Sequence, residues 1–409
     1  MQKRFVPDEG GVFPEWEEVT LGKIAEFSRG KGLTKKDVTE NGKKKCLLYG
    51  QLQVKYGTII KNVTGMTSAE IKNPVLSKAG DVLISGTISA GLAKASCIKE
   101  DGVIIGGDIN ILRPKEGIDG EFLARVINAN TKKFKRFLEG SVILHLKNEN
   151  IKEVSIRIPK SIEEQRKIAA ALAAYDEMIA VKTAKLEIWQ EYKKRMVKEI
   201  FGRTKRFKDD DGKEFPEWEE KTLGEISEPL KYGMSAAAVK YDGENKYLRI
   251  TDIDEASRKY VSDKIASPEA SKIAEKFLVQ KNDLLFARTG ASVGKTYLYD
   301  ETDGKMYYAG YLIKAHIKPE YDSQFIFQLT LTNEFKKWIK KESMRTAQPG
   351  INAECLVKYK MMIPCIEEQR KIGSFLAEID KEIEIQKEFI KTYAEGKKRM
   401  MMELMEKCN

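Results

Sequence analysis

The chain says the same thing twice. Phe13–Ile24 reads FPEWEEVTLGKI, and Phe215–Ile226, 202 residues later, reads FPEWEEKTLGEI with two differences in twelve positions. Glu163–Ile168 (EEQRKI) returns at Glu367–Ile372, and Lys193–Met196 (KKRM) at Lys397–Met400, both 204 residues on. The lead-in repeats as well: Arg4, Phe5, Asp8, Gly10 and Phe13 match Arg206, Phe207, Asp210, Gly212 and Phe215. At 409 residues the chain exceeds one ordinary core, and the repeat sets the number of large units at two. Two copies of a module with constant ends and a variable middle do one job at two related places.

The variable middles read as mixed short strands and helices. Gly80–Ser85 has the apolar run and turn residues of a buried strand, and so does Asn282–Ala287. Each is followed by a loop of small residues, GTISAGLAK from Gly86 and RTGASVGKT from Arg288, in which backbone amides can come close to a ligand. Gly106–Pro114 and Ala309–Pro319 look like a second matched pair of strands. Asp119–Leu138 and Ser323–Lys341 are predicted helices, leading to Ile158-Pro159 and Ile363-Pro364.

The clearest period comes next. Ile168, Leu172, Tyr175, Ile179, Lys182, Leu186, Trp189, Lys193, Met196 and Ile200 step by alternating fours and threes, and Ile372 to Leu404 keeps every step. Such a seam with charged flanks is a coiled-coil stripe. One lone helix would leave it exposed, so the two helices are expected to bury theirs against each other as an antiparallel pair; the alternative is that each packs on its own domain. At 1.5 Å per residue the rod is about 57 Å long, a spacer with the globular segments at opposite ends. DNA has matching symmetry, since half-sites on opposite strands are related by a twofold axis. The polar stretch Lys205–Glu214 is read as the hinge between halves.

Composition narrows the chemistry. Lys+Arg 72 against Asp+Glu 62 gives +10 and a pI near 9.0, a field that favours a polyanionic partner, with a generally Lys-rich composition as the competing reading. Five cysteines without CxxC spacing suggest reduced thiols rather than disulfides or zinc. The N-terminus lacks an apolar h-region and no run approaches 18 apolar residues, so a cytoplasmic location is expected. Gly290–Thr296 (GASVGKT) is one residue short of a P-loop, which leaves a turn where backbone and Lys295 could approach a phosphate. With only His145 and His316, histidine acid–base or metal chemistry has almost no material. Neither a base-amino methylation motif nor a methyl-donor loop is visible, and a binding protein is the better reading than an enzyme.

Polar and aromatic residues at strand ends and loops are the candidates for reading bases or holding phosphates. In the first half these are Arg29, Lys31, Tyr49 and Gln51. The second half offers Lys231, Tyr232, Arg249, Thr251, Asp252, Arg288, Thr289, Lys295 and Gln348.

The order of an FPEW…TLG box, a divergent segment, an IP…EEQ–KI box and a long helix, repeated over essentially the whole chain, resembles the specificity subunit of type I restriction–modification systems. Thr346–Asn352 (TAQPGIN) is similar to that family too, without a clear first-half copy. The resemblance implies an α+β chain: two pseudo-symmetric mixed α/β target recognition domains, 1–158 and 205–363, separated by two long helices, 159–204 and 364–409, forming an antiparallel coiled coil. It implies that each domain reads one half of a bipartite asymmetric site in double-stranded DNA, while the helices set the spacer and dock two methyltransferase subunits. Restriction or translocase subunits are possible further partners. S-adenosylmethionine, ATP and magnesium are then expected in the partner subunits and no cofactor in this chain. The alternatives are a protein-only scaffold and a self-contained methyltransferase or nuclease.

Overall fold

A computed structural model describes residues 5–88, 94–135, 144–261, 265–344 and 349–406. The chain divides into two units, Met1–Lys182 with Glu388–Asn409, and Thr183–Lys387. Among the described residues no helix is long and apolar enough to cross a membrane.

The first unit is built on a five-stranded sheet in the order Ala25–Arg29, Ile109–Pro114, Val82–Ser85, Ala95–Ile98, Ile59–Ile60. Val82–Ser85 is buried at every position because both of its faces are covered, one by the Gly120–Ala129 helix and its neighbours, the other by a cluster around Leu47, Leu52 and Ile111. A strand covered on both sides carries a continuous apolar run rather than an alternating one. Asp81 sits at its start, 1% exposed, and takes two 2.8 Å bonds from the Arg113 guanidinium.

The second unit repeats this plan with four strands in the order Lys231–Tyr232, Leu312–His316, Asp283–Ala287, Thr296–Leu298. Asp283, fully buried, stands where Asp81 does and is met by His316 Nδ1 at 2.8 Å and Lys314 Nζ at 3.1 Å. Both units also carry a parallel pair beside this sheet, Lys44–Leu47 with Ile104–Ile105 and Lys246–Leu248 with Met306–Tyr308. Beyond that pair the peripheries diverge.

The repeated phrases meet at the root of each unit. Glu17–Thr20 pairs antiparallel with Ser155–Ile158, and Glu219–Thr222 with Lys360–Ile363. The Trp16 indole N–H donates to buried Glu164 and the Trp218 indole to buried Glu368, both at 3.2 Å. Gln165 accepts from the Asp119 backbone N–H at 2.9 Å and donates to the Pro159 carbonyl at 2.9 Å; Gln369 does the same with Asp322, at 3.0 Å, and Pro364, at 2.8 Å. Asp119 and Asp322 are themselves N-caps, accepting from Phe122 and Phe325, whose rings stand edge-on to Trp16 and Trp218. Lys167 and Lys371 reach back to Asp8 and Asp210, each at 2.6 Å. FPEWEE and EEQ–KI are thus two sides of one joint, made twice.

The long helices run Ile162–Phe201 and Ile366–Glu406 and pack together as an antiparallel pair. In the first unit Asp176 receives Lys397, and Tyr175 meets Tyr393 edge-on at 6.4 Å. In the second, Lys193 reaches Asp380 and Tyr192 meets Phe375 at 6.3 Å. Those ion pairs are one contact in two copies. Packing on the domain occurs as well: Ile168 and Leu172 enter the first core, and Met196 and Ile200 join Ile372, Leu376, Ile379 and Ile383 in the second. The two packings expected as alternatives are therefore both present.

Two expectations are corrected. The helices predicted at Asp119–Leu138 and Ser323–Lys341 are each broken in two, as Gly120–Ala129 then Thr131–Phe134, and Ser323–Thr330 then Asn333–Ser343; residues 136–138 lie outside the described residues. Side chains compete with the backbone at the breaks: the Asn130 amide bonds the Val126 carbonyl, and Thr332 bonds Leu329 and caps Phe335. Lys205–Glu214, read as the hinge between halves, lies inside the second unit and is tied down there. Arg206 forks onto Glu368, Asp209 closes a turn by accepting from the Asp211 and Lys213 amides, and Lys371 holds the Lys208 carbonyl.

Candidate nucleic-acid interface

The loop-bearing end of each sheet has one backbone frame. In the first unit Arg29 pairs with Asn110, Gly30 N–H donates to the Ile109 carbonyl and Gly86 N–H to the Asp108 carbonyl, and Leu146 N–H donates to the Gly86 carbonyl. In the second, Tyr232 pairs with Ile313, Gly233 N–H donates to Leu312 and Arg288 N–H to Tyr311, and Ile351 N–H donates to the Arg288 carbonyl. Positions 29, 86 and 108 of the first frame thus correspond to 232, 288 and 311 of the second. Both frames need glycine beside the edge strand, since a Cβ at Gly30 or Gly233 would fall on the carbonyl oxygen of Gly106 or Ala309.

The side chains on this frame differ. Arg29, with half its side chain exposed, donates to Asp108 at 2.6 Å. An added Cβ at Gly86 would meet the Asp108 carboxylate, which would have to turn aside to admit it. In the second unit the Arg288 guanidinium lies over the Tyr232 ring, Cζ to centroid 5.0 Å, and the Tyr232 hydroxyl accepts from the Ala353 N–H at 3.0 Å. Tyr311, 58% exposed, takes the place of Asp108.

The first unit's frame carries Arg29, and the second unit's frame brings together Lys231, Tyr232, Arg288 and Thr289; Thr289 is held by a bridge to Gly350. Lys31 is exposed two residues beyond Arg29, its N–H donating to the Ile105 carbonyl. Tyr49 and Gln51 lie on the short helix Tyr49–Val54, Tyr49 exposed and Gln51 turned back to accept from the Leu48 N–H at 3.1 Å. That helix reaches the first frame through Gln53, whose amide donates to the Thr87 carbonyl at 2.7 Å.

Three candidates are engaged inside the protein. Lys295, 9% exposed, turns its ammonium onto the Ile253 carbonyl at 3.0 Å and Glu255 at 3.2 Å, away from the phosphate role expected of it. Arg249 forks onto buried Asp252 with two 2.8 Å bonds, and this pairing raises the guanidinium further above its usual value. Both charges hold the Ile250–Asp252 turn in shape, while Thr251 beside them is exposed. Gln348 lies outside the described residues. Sequence reading missed Asp108, Gly86 and Tyr311, although aligning Gly107-Asp108 with Gly310-Tyr311 ahead of the matched strands would have marked the change. It also missed that Lys94 matches Lys295, since it donates to the Tyr56 carbonyl at 2.5 Å and pins its neighbouring segment as Lys295 does.

Among the described residues no group of three or more His, Cys, Asp or Glu is placed to hold a metal. The family model described as "Type I restriction modification DNA specificity domain" matches the chain twice, over residues 14–188 and 216–392. The chain belongs to that family. Specificity subunits are non-catalytic in themselves. The chain is 23% identical to the type I restriction enzyme MjaVIII specificity subunit of Methanocaldococcus jannaschii, over 98% of this chain and 94% of that one. It is 28% identical to the MjaIX specificity subunit of the same organism over 54% of this chain and 53% of that one. A crystal structure of the type I restriction–modification S subunit from M. genitalium shares the fold, with a TM-score of 0.68, 16% identity, and 95% and 96% of the two chains covered.

Proposed function

We propose that this specificity subunit reads DNA, each unit recognising one half of a bipartite asymmetric duplex site. The observation that carries the reading is an unvarying root joined to an altered mouth: Trp–Glu, Gln–Pro and Lys–Asp contacts are made twice alike, while the frame positions Arg29, Gly86, Asp108 become Tyr232, Arg288, Tyr311. One docking partner at two places needs the same root, and two different half-sites need different readers. Residues 1–158 and 205–363 are the readers, and the paired helices set the number of unread base pairs.

In this reading the roots and helices dock two methyltransferase subunits, and restriction or translocase subunits join where the complex cleaves. S-adenosylmethionine, ATP and magnesium act in those partners, in the cytoplasm, and this chain holds no cofactor. The net charge of +10 suits a duplex partner. The test is methylome sequencing of a host expressing the modification subunits with and without this chain. A bipartite methylated motif that appears only with it is expected; the same motif in its absence overturns the reading.

A further inference from the structure

Resting on the reading of each unit as a half-site reader, we propose that one guanidinium reads a guanine at the mouth of each unit, and that the two units deliver it from opposite sides of the same frame. Arg29 comes from the edge strand of the first unit, with Asp108 as its positioning residue. Arg288 comes from the end of the central strand of the second, with Tyr232 as its platform.

The equivalence is fixed by backbone register, not by similarity of sequence. Arg29 faces Asn110 where Tyr232 faces Ile313, and the N–H groups of Gly86 and Arg288 donate to the carbonyls of Asp108 and Tyr311. Within that frame the arginine moves from the edge position, residue 29, to the central-strand position, residue 288, and the edge position it leaves becomes its support, Tyr232. In the first unit the central-strand position is glycine, and a side chain there would run into the Asp108 carboxylate. Arg29 reaches that carboxylate from the other strand and gives Asp108 one nitrogen of its fork, at 2.6 Å. In the second unit the edge position is Tyr232, whose hydroxyl is tied to the Ala353 N–H, so its ring is a fixed surface on which the Arg288 guanidinium lies.

The chemistry of both arginines asks for a planar acceptor. A guanidinium anchored by a carboxylate or over a ring is planar in itself and presents paired N–H groups, and guanine O6 and N7 are the major-groove acceptors that match them. A phosphate contact would instead serve every sequence alike.

The test uses the complete modification complex, with the methylated motif and the rate of methylation of duplexes varied at each base as readouts. Arg29→Ala and Arg288→Ala are each expected to relax one guanine position, in different half-sites, with discrimination falling roughly 5- to 140-fold, the equivalent of about 1–3 kcal/mol at 1.4 kcal/mol per factor of ten. Asp108→Ala should relax the same position as Arg29→Ala, a shift that a merely structural role would not confine to one base. The triple variant Arg29→Tyr, Gly86→Arg, Asp108→Tyr should keep a guanine preference at that position with the arginine now delivered from residue 86. If the triple variant fails to fold, the single variants decide. A bipartite parent motif that both alanine variants leave unchanged, or weaken equally at all bases, overturns this inference and leaves the half-site reading standing; a parent without a bipartite motif removes the reading itself.

Discussion

Replacing Gln165 by leucine tests whether the repeated EEQ phrase is a structural joint. The side chain is fully buried and makes three bonds to backbone: it accepts from Asp119 N–H, and donates to the carbonyls of Gly117 at 3.1 Å and Pro159 at 2.9 Å. Leucine has a similar size but no polar atoms, so these groups lose their partner. The Pro159 carbonyl is cut off from water, at a cost of about 1–3 kcal/mol, while Gly117 and Asp119 are partly exposed and cost about 0.5 kcal/mol each. Gln165→Leu should therefore destabilise the first unit by about 2–4 kcal/mol. For a unit of this size that lowers the melting temperature by about 4–16 °C at roughly 2–4 °C per kcal/mol. Gln165→Glu should cost more, because it sets a carboxylate against two carbonyls in a buried place. Calorimetry gives the size of the effect and hydrogen exchange its location. Faster exchange is expected at Gly120–Ala129 and the start of the central helix, with Ser323–Thr330 unaltered. A melting temperature within 1 °C of the parent for either variant would refute the reasoning.

The remaining predictions are smaller. Trp218→Phe keeps the ring on Phe325 but removes the donor to buried Glu368, and should cost about 1.5–3 kcal/mol by urea titration. Asp176→Asn should cost more than Asp380→Asn, because Asp176 neutralises Arg125, 3% exposed, whereas Asp380 meets neutral Gln328 beside Lys193. Burial pushes the Asp176 carboxyl up, but its bonds from Lys397 and Arg125 outweigh this and hold it below the ordinary 3.8. Its stabilisation is thus complete above about pH 4 and fades as pH falls through the lower folded value, so Asp176→Asn should flatten the acid limb of stability in urea melts below about pH 4. Lys295→Met should lower stability yet leave the salt slope of duplex binding unchanged; a slope smaller by about one would make Lys295 a phosphate contact.

What could be read from the sequence was what recurs. The Val82–Ser85 and Asp283–Ala287 strands were legible because covering both faces of a strand forces an apolar run, and the long helices because their seam keeps a strict period. The breaks at Asn130 and Thr332 were not, since a polar side chain bonding its own helix leaves the apolar pattern intact. At the mouth, reading by residue type picked Arg29, Tyr232 and Arg288, which the frame gathers, alongside Arg249 and Lys295, which it engages elsewhere. An exposed arginine and one locked to a buried aspartate look alike in a sequence; only the partner tells them apart.

The repeat also shows which residues had freedom to change. Trp16, Glu164 and Gln165 meet in buried contacts, so altering one of them takes a partner from a buried polar group, while Lys167 ties the exposed Asp8 of the lead-in to the same helix. Their copies at Trp218, Glu368, Gln369 and Lys371 stand under the same constraint, and they match. At the mouth the frame shared by the two units is one of backbone bonds, and the side-chain contacts on it differ between them. The amides of residues 86 and 288 bond carbonyls, not side chains, and Gly30 and Gly233 are required by a close approach of main chain to main chain. A frame held by its backbone tolerates any side chain that fits, so arginine can move from one strand to the other without disturbing the sheet. Constant root and variable mouth are then one physical fact: the root is closed by side chains and the mouth by peptide groups.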